Sequence, residues 1–428
     1  MANIQEIQDM TPVLKNVYLP IRKNAFPMMT PLLAAAKRGK SRSVRYSGND
    51  LFFDVKLDRR GGFVASAEGY LPDPTTAREK QGRLGIARTY ATVQLDGLNI
   101  KATDDKKGAY ISASKKVVQD VMEQWQLEQS RILHGDGLGV RALVKSRTSA
   151  TVVVLDAPYG IESSGPGNLH LVVGDTCASL DAGSSNALLA KAVITDISLS
   201  GDDATVTFGS TIEGSGTIAA NDIIVTAVPT ATNSGDTSYG AEPFGLMAIT
   251  DVEANFATFE GIADDRWLAQ KLTSTTVDET ILMKLLNTIR NKGGVDWRSN
   301  PKALLLLTTT GIWQQYGDSM LGIRRFNAPT MELNGGFRGV QVAGGTLIDD
   351  PWCPRGRIYA IHTPDTLFVD LMDFGKISFQ DSPKWQRMSN RDAYEAVFAS
   401  YWNYGVTKRN THGVLSGITD TVDYSPVL

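Results

Sequence analysis

The residues best suited to chemistry are four histidines, His134, His170, His362 and His412, and three adjacent carboxylate pairs, Asp104/Asp105, Asp202/Asp203 and Asp264/Asp265. An imidazole can act as a general base or metal ligand, and paired carboxylates can act as acid and base or hold calcium. None of them comes with the partners that such chemistry requires. The histidines fall in different stretches without ligand spacing and are read as structural residues. The carboxylate pairs sit in turn-like sequence and are read as solvated turn residues. The chain contains no G-x-x-x-x-G-K, no G-x-S-x-G and no H-E-x-x-H. Gly135-Asp136-Gly137 and Gly335-Gly336-Phe337 lack the strand–loop–helix context of a phosphate loop. No catalytic residue, cofactor or metal site is assigned, and the chain is expected not to be an enzyme.

Charge, by contrast, is distributed unevenly. Residues 1–110 carry 18 Lys and Arg against 11 Asp and Glu, whereas residues 151–265 hold one base, Lys191, against 16 acids. A basic end and an acidic module present two surfaces to two environments. The run Lys37, Arg38, Lys40, Arg42 and Arg45 contains no acid. Such a run can neutralise phosphates without reading sequence, or pair with the acids of a neighbouring subunit. It has neither interleaved aromatics nor a base-reading motif, so sequence-specific binding is not expected. Cys177 and Cys353 lie in different modules and suggest neither a disulfide scaffold nor a zinc site. No apolar run reaches the ~18 residues of a membrane span, and MANIQEIQDM lacks a secretory leader's pattern.

At 428 residues the chain exceeds one core, so two or three packing units are expected. Its longest element is a helix predicted over Ser112–Leu133, about 33 Å long. Val117, Val118, Val121, Met122, Trp125, Ile132 and Leu133 form one apolar face, and Lys115, Lys116, Asp120, Glu123 and Glu128 lie on the other. Neither sequence neighbour looks like a partner for this stripe, so the helix reads as a beam joining separate modules. Upstream, Pro12, Pro20, Pro27 and Pro31 interrupt every helix over residues 1–49, which reads as an arm ordered only by lying on something else. Leu51–Asp58 alternates as a strand, and a return strand is predicted over Leu84–Leu95 with a phase shift near Arg88, read as a bulge. Between them lies a glycine-rich tip. The hairpin either crosses a neighbouring subunit or folds back on its own domain, and this stretch alone favours neither.

Downstream of the helix, strands are predicted at Ala150–Leu155, Leu169–Val173, Ala192–Leu199, Ala204–Phe208 and Asp222–Val228, with a turn at Ser200–Asp203, as in a small antiparallel barrel or sandwich. Thr276–Glu279 reads as a capping box opening a helix through Ile281, Leu282, Leu285, Leu286 and Ile289. A buried strand follows at Ala303–Leu307, then a short helix over Thr309–Tyr316. Further strands are expected at Val340–Val342, Thr346–Ile348, Arg357–Ile361 and Leu367–Leu371. A long aromatic strand, Ala393–Val406, suits packing against Trp125.

This order of parts resembles the tailed-bacteriophage major capsid protein, whose architecture is called the Johnson fold. The likeness rests on the proline-broken arm, the extended hairpin, the long helix ending in Leu133-His134-Gly135-Asp136-Gly137, the α/β module and the long strand entered through Ser389–Tyr394. Asn300–Phe326 and Gly339–Ile348 are similar to further parts of the family. The resemblance implies an α+β fold. Residues 1–49 would be the N-terminal arm, 50–97 the extended hairpin, and 98–140 with 366–412 the peripheral domain carrying the spine helix. Residues 141–244 would be an inserted all-β domain that the minimal fold lacks, and 245–365 with 413–428 the axial domain.

The resemblance further implies a shell of hexamers and pentamers enclosing double-stranded DNA, held by non-specific contact. It places the protein in the virion, assembled in the host bacterial cytoplasm, with a portal protein as partner and a separate scaffolding or decoration protein, or none. In that reading Lys37, Arg38, Lys40, Arg42 and Arg45 form a subunit-facing or genome-facing arm. Arg59, Arg60, Phe63, Tyr70, Arg78, Lys80 and Arg83 form an intersubunit hairpin, and Val117, Val121 and Trp125 the helix core. Some relatives cross-link a hairpin lysine to a neighbour's asparagine. Lys56 and Lys80 lie in or near the hairpin, but no partner asparagine or catalytic glutamate is matched. An encapsulin shell would share the fold and enclose protein instead. A β-rich adhesin or glycosidase is poorly served by residues 151–240, whose aromatics are Tyr159, Phe208 and Tyr239.

Overall fold

The structure, a computed structural model, describes residues 30–38, 50–58, 65, 69, 71, 73, 78–96, 113–161, 164–214, 216–228, 237–251, 264–295, 300–321, 330–332, 338–342, 345–376, 386–388 and 392–420. Its first element already departs from expectation. Helix α1 spans Pro31–Arg38. Pro31 starts this helix instead of breaking it, because the first helical position needs no N–H donor. Leu32, Leu33 and Ala36 are buried in one cluster with Trp125, Leu133, Leu246, Phe368 and Trp402. This part of the arm therefore lies on its own chain.

Strand β1 (Asp50–Lys56) pairs antiparallel with β2 (Glu79–Gly85), in register from Asp50 opposite Gly85 to Lys56 opposite Glu79. The Phe53 ring fills the space over Gly82, where a Cβ would come within 2.5 Å of it. The return strand is not one strand with a bulge. It breaks at Ile86, and β3 (Ala87–Asp96) leaves β1 to pair with a different sheet. The phase shift in the sequence marks that transfer, since each half alternates against its own partner.

Helix α2 runs Ala113–His134. At its end Gly135 N donates to Ile132 O at 3.0 Å. The short helix α3 (Leu246–Thr250) begins against this end, entered through Gly245. A Cβ on Gly245 would lie 2.4 Å from Ile132 O and 2.6 Å from Leu133 O, so only glycine permits the approach. The stripe of α2 has the partners that its sequence neighbours did not suggest: α1, α3 and the strands described below.

Between α2 and α3 in the chain stands a closed antiparallel barrel. Its strands are β4 (Val140–Arg147), β5 (Val152–Asp156), β6 (Thr176–Asp181), β7 (Ala187–Ser200), β8 (Asp203–Phe208) and β9 (Ile223–Thr226). They close in the order β4-β5-β8-β7-β6-β9. Alternate residues such as Val144, Val153, Leu155, Ile194, Val206 and Ile224 fill the interior. Leu169–Val173 is not a strand. Leu169 N bonds Pro166 O and Leu171 N bonds Asn168 O, which coils the segment into turns that bury both leucines. Sequence periodicity also missed β4 and β6.

A mixed seven-stranded sheet follows. Its strands are β10 (Gln270–Thr273), β11 (Leu304–Thr308), β12 (Thr330–Glu332), β13 (Arg338–Val342), β14 (Gly345–Asp349), β15 (Arg357–His362) and β19 (Gly413–Ser416), in the order β10-β19-β15-β11-β14-β13-β12. Helices α4 (Glu279–Gly293) and α5 (Thr310–Leu321) cover one face, placing Leu282, Leu286, Ile312 and Tyr316 on Leu304, Leu306 and Ala360. Leu305, Leu307, Tyr359 and Ile361 point the other way, into the cluster around Trp125. The run of leucines is continuous because both faces of β11 are buried. Asp278, not Thr276, caps α4, its carboxylate accepting from Ile281 N at 2.8 Å.

The third sheet contains β16 (Thr366–Lys376), β17 (Gln386–Arg387) and β18 (Ala393–Val406), with β3 also paired to β18. One face packs Val93, Ala396 and Phe398 on Val117, Val118 and Val121 of α2.

Candidate assembly interface

Of the residues singled out from sequence, Val117 and Val121 pack on Val93 and Phe398, while Trp125 joins the cluster of Trp402 and Tyr404. Lys37 and Arg38 occupy the last turn of α1. Lys40, Arg42, Arg45, Arg59, Arg60, Phe63 and Tyr70 lie outside the described residues.

At the base of the hairpin, Arg78 and Arg266 both donate to Asp58, and Arg266 Nη2 also reaches Asp264 at 3.0 Å. Hydrogen bonds from Arg266 hold the Asp264 carboxyl down at about 2. Beneath these charges Val55 packs on Trp267, with Phe53 and Leu57 alongside. Arg83 pairs with Asp50 at 2.6 Å along the hairpin, and Lys80, opposite Val55, is exposed. The described base of the hairpin is thus fastened to its own subunit, and the question of a neighbour passes to the tip. Asp264 holds the turn read from sequence, its carboxylate accepting from Arg266 N at 3.0 Å, and it also lies 3.8 Å from Arg78 of the hairpin.

Asn403 ties three segments together. Its amide nitrogen donates to Gly85 O at 2.7 Å, and its oxygen accepts from Phe244 N and Tyr404 N, each at 2.8 Å. The end of the hairpin, the chain returning from the barrel and β18 are therefore held by one side chain. Nearby, the buried Arg409 donates to the carbonyls of Ile249 and Asp251, both at 2.6 Å, and of Ala248 at 3.2 Å. These are carbonyls at the C-terminal end of α3, where a cation is favoured.

The barrel meets α2 through a buried ionic network. Arg131 Nη2 reaches Glu128 at 2.8 Å and Glu242 at 2.5 Å, and Arg141 on β4 reaches Glu128 at 2.5 Å. Burial pushes the Glu128 carboxyl up, but Arg131 and Arg141 outweigh it and hold it below the usual carboxylate range. Glu128 therefore belongs to this junction and not to the solvent face. Asp202 and Asp203 lie at the expected turn between β7 and β8, and each also forms an ion pair: Asp202 with Arg355 at 3.0 Å and Asp203 with Lys145 at 2.7 Å.

Histidines that are distant in sequence come together in two places. His134 lies at the α2 end of the barrel junction, its Nε2 3.5 Å from the buried carboxylate of Asp350, and His170 sits across the same junction. Asp350 also accepts from Leu32 N of α1 at 3.4 Å and Trp352 N at 3.0 Å. His362 N donates to His412 Nδ1 at 3.3 Å. Among the described residues no group of three or more His, Cys, Asp or Glu could hold a metal ion. What these groups do is bind chain segments to one another.

Sequence reasoning missed Glu128, Arg131, Arg141, Glu242, Asp350, Asn403 and Arg409. Only the Glu128/Arg131 spacing of one helical turn gives a local signal. The other pairings span up to 318 residues, as between Asn403 and Gly85.

No protein-family model matches the sequence, and no curated protein matches it either. Solved structures do. A chain of the cyanophage A-1(L) capsid asymmetric unit is 13% identical with a TM-score of 0.57, and the match covers 98% of this chain and 100% of that one. A chain of the holo-SrpI encapsulin complex of Synechococcus elongatus PCC 7942 is 9% identical at a TM-score of 0.48, covering 99% of both. A capsid chain of a native GTA particle is 8% identical at 0.48, covering 98% of this chain and 100% of that one. With the arm helix, hairpin, long helix and three sheets in this order, the chain has the capsid-subunit fold of tailed phages.

Proposed function

We propose that this chain is the major capsid protein of a tailed phage, a structural subunit whose copies close into an icosahedral shell around double-stranded DNA. The single observation that carries the reading is the end-to-end likeness to a phage capsid chain, 98% of this chain on 100% of that one. The hairpin supports it. Strands β1 and β2 form a sheet of their own with no third strand among the described residues, and such a ribbon is marginal in water unless another surface completes it. The base of the ribbon finds that surface on its own body at Trp267, and in a closed shell the tip is completed by a neighbouring copy in a hexamer or pentamer. The basic arm then faces either a neighbour or the packaged DNA, and the acidic barrel faces solvent. A portal protein and a scaffolding or decoration protein are further partners.

Expression of the full chain, followed by sizing and negative-stain microscopy, tests this. Closed particles or capsomer rings are expected, and a stable monomer at high concentration would overturn the reading. Nuclease-protected DNA inside particles from infected cells is expected, and protein cargo without DNA would replace the phage with a protein compartment.

A further inference from the structure

We propose that residues 157–161 and 164–171 form an acid-released latch that holds the barrel against the seven-stranded sheet, with His170 as its trigger. The latch is fastened at both ends. Tyr159 Oη donates to Trp352 O at 2.7 Å. Arg355 N donates to Ser164 O at 3.0 Å, Gly167 N donates to Asp202 O at 2.8 Å, and the Asp202 carboxylate holds Arg355. Trp352 and Arg355 belong to the connection between β14 and β15, so these bonds join barrel to body. The latch is also wound tightly. Ala157 has φ 49° and Tyr159 φ 61°, left-handed values that L residues seldom hold unless packing enforces them.

His170 packs edge-on against Tyr159, ring centroids 4.2 Å apart, with only 4% of its surface exposed. Neither of its ring nitrogens has a hydrogen-bond partner among the described residues. The charged and titratable groups facing it are Glu128, Arg131 and His134 from α2 and Arg141 from β4, with Tyr159 beneath it. Glu242 is engaged by Arg131, and Asp350 lies on the Tyr159 side with His134. Arg131 and Arg141 face Glu128 and Glu242, with Asp175 near Arg141 beyond the latch. These anions are already engaged, so a proton on His170 would be a buried cation without a partner of its own. Burial, and then Arg131 and Arg141, accordingly push the His170 imidazole well below its ordinary value.

The sign follows from linkage. The docked latch refuses the proton, while the released latch accepts it near the ordinary histidine value of about 6.5. Docking is therefore at full strength above about pH 6.5 and weakens by up to about tenfold per unit below it. Hydrogen exchange of the full chain reads this directly at the amides of Gly167, Leu169 and Leu171, after correction for intrinsic rates. Their protection should fall about thirtyfold between about pH 8 and about pH 5, of which about fifteenfold comes below about pH 6.5. His170→Phe keeps a ring on Tyr159 without a proton site, and His170→Gln keeps polarity without titrating; both should abolish the fall. An equal fall in either variant, or none in the native chain, overturns the latch. If neither variant folds, the native chain still decides: parallel loss of protection in β19 would make the event global unfolding and overturn the proposal.

Discussion

Arg141 opens the barrel and Glu128 lies on the long helix, 13 residues earlier, yet their side chains meet at 2.5 Å. With Arg131 and Glu242 they form a closed set of two cations and two anions. The Arg141–Glu128 and Arg131–Glu242 pairs cross the point where the barrel leaves and rejoins the body, and Arg131–Glu128 links them along the helix. Breaking a buried pair costs more than its absence would, because the remaining charge is stranded.

Glu242→Ala leaves Arg131, only 3% exposed, with Glu128 as its remaining anion. The expected loss is about 2 kcal/mol, below the roughly 3–5 kcal/mol of a pair stripped of all compensation. Adding Glu128→Ala leaves two arginines uncompensated, and the combined loss should exceed the sum of the single ones. Urea unfolding of the full set measures this, and simple additivity would show that the four groups do not act together.

Asn403→Ala removes the bonds to Gly85, Phe244 and Tyr404 in a site that excludes water. A cost of about 2 kcal/mol is expected from three bonds at roughly 1 kcal/mol each, less what the neighbours recover. Asn403→Asp should cost at least as much, because a carboxylate facing Gly85 O can only repel it. Thermal unfolding monitored by circular dichroism tests the order of the two variants.

The elements that sequence made legible are those whose pattern is answered locally. The helix Ala113–His134 and the strand Ala393–Val406 differ by at most a residue or two from their expected limits, because each presents one unbroken periodic face. Several of the misses are decided at a distance. Leu84–Leu95 reads as one strand, but its halves answer to β1 and β18, more than three hundred residues apart. Pro31 looks like a helix breaker until Asp350 accepts Leu32 N and the Trp125 cluster takes Leu32 and Leu33. The ionic network was invisible because Arg131 finds Glu242 across 111 residues.

Trp267→Ala should free the hairpin base without unfolding the body. Val55 and Trp267 are the two buried members of their cluster, whereas the charges above them are largely exposed and worth about 1 kcal/mol or less per pair. Exchange at the amides of β1 should rise at least tenfold, against a smaller rise for Asp58→Ala. A larger effect from Asp58→Ala would place the anchor in the ion pairs instead.

Deleting residues 62–77 removes the hairpin tip and spares β2, which begins at Glu79. The anchors at Trp267 and Asn403 remain, so the subunit should stay folded and soluble. It should fail to form stable closed shells if the tip completes a neighbour. Microscopy of normal particles with unchanged heat resistance would remove that role from the hairpin.

His412 gives a pH dependence with a definite sign. Burial pushes its imidazole down to about 3, Arg409 and His362 press the same way, and Asp365 opposes them. In the folded chain its Nδ1 accepts from His362 N, which requires the neutral ring. The unfolded chain takes up a proton near about 6.5. The stabilisation is therefore complete above about pH 6.5 and declines by up to about 1.4 kcal/mol per unit as pH falls toward about 3. His412→Gln cannot titrate, so its unfolding free energy should depend on pH with a slope about one proton smaller between about pH 6 and about pH 4. Urea unfolding across that range checks it. A variant that follows the native slope would mean that His412 does not carry the acid sensitivity of the sheet it supports.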